Sequence, residues 1–141
     1  MKEAWVLYAI ISMLFAGVTS VLAKYGLKEV SSDVALIIRT SFIFLIVWLN
    51  VFLFDNVKSL STISRSSMLF LLLSGFTTSI SWIFYYKAIK IGPVSQIALI
   101  DKGSILITLF LSFVLLKDPV TPKVLIGAGC ILCGLIVMIW K

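Results

Sequence analysis

Apolar residues gather into five runs along this chain, Ala4–Ala23, Val34–Phe54, Ser66–Tyr86, Ile91–Leu116 and Val124–Trp140, which together take up 105 of its 141 residues. Each run is 17 to 26 residues long, whereas a strand rarely exceeds about ten. Length therefore predicts helices, and about 20 apolar residues suffice to cross the hydrocarbon of a bilayer. The last run reaches that length only with Pro122 and Lys123 included. The fold class read from this pattern is an all-α membrane protein with five transmembrane helices, forming a single domain over residues 1–141. Although Lys2 precedes the first run, the run is too long for a signal-peptide core and four further spans follow it, so it is read as a retained helix.

Short polar segments punctuate the runs: Lys24–Asp33, the Ser-rich stretch Asp55–Arg65, Ile91-Gly92-Pro93 and Lys117-Asp118-Pro119. None is long enough to fold alone, which excludes a soluble catalytic or receptor domain carried on an anchor and leaves function to the membrane-embedded part. In the Ser-rich stretch Val57, Leu60 and Ile63 recur every third residue between Lys58 and Arg65. That spacing fits an amphipathic turn on the membrane surface, and a plain polar linker fits equally well. Trp5 and Trp140 stand at the outer ends of the first and last spans and Tyr85 and Tyr86 close the third, as interfacial anchors do. Trp48 and Trp82 sit deeper, where packing against lipid or helices competes with lining a cavity.

Composition agrees with the pattern: 61% of residues are hydrophobic, against about 45–50% in soluble domains. The net charge of +6 points to lipid headgroups rather than nucleic acid, because the basic residues stand mostly at helix ends. Five spans put the termini on opposite sides of the membrane. The N-terminal side receives Lys2, Lys58, Arg65, Lys117 and Lys123, and the other side Lys24, Lys28, Lys87, Lys90 and Lys141, with Arg39 and Lys102 inside spans. Orientation normally follows an excess of Lys and Arg on the cytoplasmic side. An even tally predicts insertion in both directions, and two opposed copies would form an antiparallel homodimer, the non-covalent counterpart of an inverted repeat.

The chemistry concentrates in the fourth span. On a helical wheel Asp101, Ser104, Thr108 and Ser112 fall in one sector, with Lys102 outside it. The third span repeats the pattern with Ser74, Thr78, Ser81 and Tyr85, and the first has Ser12, Ala16, Thr19 or Ser20, and Ala23. Small hydroxyl residues often serve only close helix contact, the preferred account for the first span. An ionisable Asp heading the stripe instead points to a wet interior. Arg39 and Asp101 enter from the same side, about 7.5 and 10.5 Å deep at 1.5 Å per residue, so a bridge between them is expected, with Lys102 snorkelling or reaching a partner. Asp101 is accordingly a candidate proton or cation site tuned by Arg39 or Lys102, and a purely structural charge network is the competing account. In the last span Gly127, Cys130 and Gly134 share a face suited to helix packing or dimerisation. The Cys130-x-x-Cys133 pair is embedded in lipid, which disfavours thiolates and redox or zinc chemistry. Histidine is absent and no catalytic set, phosphate loop or metal cluster is present; no enzyme activity, cofactor or metal is expected, and any active transport draws on an ion gradient or exchange.

Taken in order, Trp5–Tyr25 with Gly17 and Lys24-Tyr25-Gly26, Ile38-Arg39-Thr40, Trp82–Ile89, Gly92-Pro93, Asp101-Lys102-Gly103-Ser104, Leu116-Lys117-Asp118 and Gly127–Gly134 resemble the EamA-like domain of the drug/metabolite transporter superfamily. The resemblance covers nearly the whole chain. It implies a carrier of small organic metabolites or drugs in a prokaryotic plasma membrane, built as one half of an inverted-repeat ten-helix transporter. Family members usually hold two such units in tandem, so one unit implies either a homodimer or a heterodimer with a second five-helix chain. The candidate path residues are Asp101, Lys102, Arg39, Ser104, Thr108, Ser81 and Tyr85. At Asp118-Pro119, where the family commonly has Glu, a structural cap is expected. Two other readings stand beside the carrier: a non-transporting accessory or scaffold subunit, and a translocator of lipid-linked molecules.

Overall fold

A computed structural model describes residues 4–54, 63–119 and 121–140, and among these the regular structure is helical throughout. The chain divides into two compact units, Met1–Ile91 and Gly92–Lys141.

The first unit holds α1 (Ala4–Gly26), α2 (Ser32–Leu53) and α3 (Arg65–Ile91). Each boundary has a local cause. Ser31 caps α2 by accepting the Val34 N–H at 3.3 Å, and Asp33 adds a negative charge to the first turn. Ser64 does the same for α3 through the Ser67 N–H at 3.1 Å. Pro93 ends the helical path beyond α3 by withholding a donor and restricting Gly92. Both α1 and α2 pack on α3. Only Leu27, Tyr86 and Ile89 are buried among the described residues, all where the ends of α1 and α3 meet. Elsewhere the apolar side chains face outward, as expected where lipid or another chain is the solvent.

In the second unit the fourth span is discontinuous: α4 (Val94–Asp101), α5 (Ser104–Leu111) and a π turn over Ser112–Leu116. The straight helix implied by the uninterrupted apolar run is thus corrected at two points. At Lys102 and Gly103 the backbone tightens to ψ values of −14° and −22°, and Gly103, Ile105 and Leu106 donate to the carbonyls three residues back at 2.9, 3.1 and 3.0 Å, a 3₁₀ pattern. Gly103 permits it: a Cβ there would stand 2.9 Å from the Ile100 carbonyl oxygen and 3.3 Å from Leu135 Cδ1. The fifth span, α6 (Pro122–Ile139), begins with Pro122 in its first turn and Thr121 accepting the Val124 N–H, and packs on α4 and α5.

Three helices and the segment Val94–Leu116 are long and apolar enough to cross a membrane, and α6 is a shorter apolar helix. The Ser-rich stretch carrying Val57, Lys58 and Leu60, and the terminal Lys2 and Lys141, lie outside the described residues.

Candidate functional site

In the first unit α2 delivers Arg39 onto the aromatic end of α3. Its guanidinium carbon lies 3.7 Å from the centroid of the Trp82 ring and 5.9 Å from that of Tyr86, and the two rings are themselves 5.9 Å apart. Stacking on an indole face satisfies the cation while leaving the N–H groups at the guanidinium edge. Within the described residues of this unit no carboxylate pairs with Arg39. A groove of about 680 Å³ opens beside it, bounded by Thr19 and Ala23 of α1, Ala35 and Phe42 of α2 and Tyr86 of α3.

The hydroxyls of the third span divide. Tyr85 reaches across to Ser20, oxygen to oxygen at 2.7 Å, fixing α1 against α3. Thr78 instead donates to the carbonyl of Ser74 one turn back at 2.8 Å, so this member of the expected stripe satisfies its own helix. Beyond the groove, Lys24 of α1 donates to the Ile89 carbonyl at 2.6 Å and Lys90 of α3 donates to the carbonyls of Leu27 at 2.5 Å and Val30 at 3.0 Å. Each lysine caps the other helix's C-terminal end, where cations are favoured.

In the second unit Asp101 and Lys102 occupy the break itself. Their charged atoms are 4.0 Å apart and their side chains 42% and 55% exposed, which leaves the pair open to other partners. A 3₁₀ turn eclipses positions three apart, so Asp101 and Ser104 share one edge of the break. Thr108 donates back to the Ser104 carbonyl at 3.0 Å. Ser112 leaves the stripe altogether and hydrogen-bonds the Asp118 carboxylate, while Lys117 turns left-handed at φ 56° to end the π turn. Asp118 is thus tied to the π turn, and the cap of the last helix is Thr121.

Comparison with known proteins decides what these helices belong to. Residues 3–140 match the model of the EamA-like transporter family. The chain belongs to that family. It is also similar to an "uncharacterized transporter in cobO 3'region" of Sinorhizobium sp, 31% identical over 138 residues that make up 98% of this chain and 98% of that one. No solved structure matches the chain. This EamA-like protein is a multi-pass membrane transporter.

Within the EamA-like chain the sequence located the charged residues and misread some of their neighbours. Tyr85 and Tyr86, expected as interfacial anchors, turn inward: Tyr86 is buried and Tyr85 is bonded to Ser20. Lys24 and Lys90, expected at headgroups, cap helices. Trp82, left between packing and a cavity, carries Arg39, whereas Trp48 rests between Phe44 and Phe52 of its own helix. Nothing lies within 4 Å of where a Cβ would stand at Gly127 or Gly134, and Cys130 is exposed, so this face of α6 is open in the isolated chain.

Proposed function

We propose that the whole chain acts as one EamA-like half-transporter and that two copies, inserted in opposite directions, form an alternating-access carrier for a small organic solute in the prokaryotic plasma membrane. The observation that carries this reading is the interruption of the fourth span at Asp101-Lys102-Gly103. Irregular backbone and ionisable side chains are both disfavoured in hydrocarbon, and their coincidence is the usual construction of an ion or substrate site in a carrier. Asp101 is the proton or exchanged-cation site, Lys102 its modulator, and Ser104, Thr108, Ser81, Tyr85 and Arg39 line the path. The open Gly127, Cys130 and Gly134 face of α6 packs against the partner copy.

Two further observations support the pairing. The relative from Sinorhizobium sp is matched over 98% of its own length, so that protein has the length of one such unit rather than two. The even distribution of basic residues favours neither orientation. Transport here involves no covalent step. The test is counterflow and pH-gradient-driven uptake of a radiolabelled metabolite pool by purified protein in liposomes, with C-terminal reporters read on both sides of the cell membrane. Reporter signal on one side only eliminates the antiparallel homodimer, and full gradient-driven uptake by Asp101→Asn eliminates the coupling role.

A further inference from the structure

The groove beside Arg39 has a chemistry of its own, and it narrows the solute. We propose that it is a binding site for a small organic monocarboxylate with an apolar body, held through its carboxylate by the edge of the Arg39 guanidinium; this rests on the carrier reading above. At about 680 Å³ the groove falls within the roughly 300–1,000 Å³ of small-molecule sites. Its walls divide the ligand into two parts. Ala23, Ala35, Ile38 and Phe42 offer apolar contact, while Arg39, Thr19 and Tyr86 supply the polar groups.

Charge selects an anion. Arg39 is a permanent cation, and within the described residues of its unit no carboxylate neutralises it. The ring of Trp82, 3.7 Å from the guanidinium carbon, occupies one face of the plane. The in-plane donors remain, and their fork matches the two oxygens of a carboxylate. A cationic solute is repelled by the same group. A phosphate dianion needs more donors than one guanidinium and two hydroxyls provide, because Thr19 already donates its proton to the Phe15 carbonyl at 2.7 Å. An amphipathic carboxylate satisfies both the charge and the apolar walls.

The test is calorimetric titration of the full chain in phosphatidylcholine nanodiscs with 4-phenylbutyrate and its uncharged analogue 4-phenylbutyramide. A charge-assisted fork predicts that the carboxylate binds roughly 10- to 100-fold more tightly. That preference disappears in Arg39→Gln and is reduced in Arg39→Lys, which keeps the charge without the fork. Should Arg39→Gln fail to fold, Ala35→Phe fills the groove without touching the guanidinium and abolishes binding of both compounds. Equal affinity for the two probes, or a preference that survives Arg39→Gln, overturns the proposal. Titration is repeated with phosphatidylglycerol in the nanodisc; if that lipid eliminates binding in an Arg39-dependent way, the groove takes a lipid headgroup and the solute assignment is wrong. Arg39-dependent binding without counterflow of any solute defeats the carrier reading alone, and counterflow without Arg39-dependent binding defeats this proposal alone.

Discussion

The two units treat a charge inside the membrane in opposite ways. In the first, Arg39 is held on intact helices by the faces of Trp82 and Tyr86, so the backbone stays regular and aromatic rings position the cation. In the second, Asp101 and Lys102 sit where the helix itself gives way and are half exposed. A ring-stacked guanidinium keeps its charge and its position, as suits recognition. A half-exposed carboxylate at a break is free to change partner, as the proposed coupling requires.

The sharpest way to break that contrast is at Asp101. Asp101→Asn reduces gradient-driven uptake to background while leaving the elution profile and helical circular dichroism of the purified protein unchanged, because the side chain is exposed and its ion-pair partner is its own neighbour. Gly103→Ala comes next. The added Cβ meets backbone oxygen at 2.9 Å, so thermal unfolding in detergent registers a loss of about 2 kcal/mol. Leu135→Ala does not restore it, since the closer obstacle is the Ile100 carbonyl. In the first unit Trp82→Leu removes the guanidinium's ring platform and lowers stability by about 1–2 kcal/mol. Lys90→Met leaves the carbonyls that follow the end of α1, those of Leu27 and Val30, without their cation and lowers it by about 1 kcal/mol in the same assay.

How far the chain could be read in advance depended on whether a feature was local. The five apolar spans and the Pro93 and Pro122 boundaries are written in consecutive residues; the structure keeps the boundaries, extends the third span from Ser66–Tyr86 to Arg65–Ile91 and breaks the fourth. The break in the fourth span was half legible. Asp101-Lys102 stood out as charge in an apolar run, but the need for Gly103 comes from the tight turn itself, where a Cβ would meet the Ile100 carbonyl oxygen, and from Leu135, 32 positions away in sequence. Arg39 was found because it is ionisable, yet its seat on Trp82 depends on how α2 crosses α3. Lys24 and Lys90 gave no signal beyond their location at helix ends, where a headgroup and a carbonyl are equally good acceptors. The hydroxyl stripes hid a local use for a related reason: Ser and Thr on a helix have a carbonyl one turn back always in reach, and Thr78 and Thr108 use it.

The crossed lysines set a mechanical rule for the first unit. Lys24 grips α3 at Ile89 while Lys90 grips α1 at Leu27, so at this end neither helix can slide or part without releasing both. Any separation of α1 from α3 is then a scissor movement with its pivot at the lysines, and the blades travel farthest near Ala4 and Arg65.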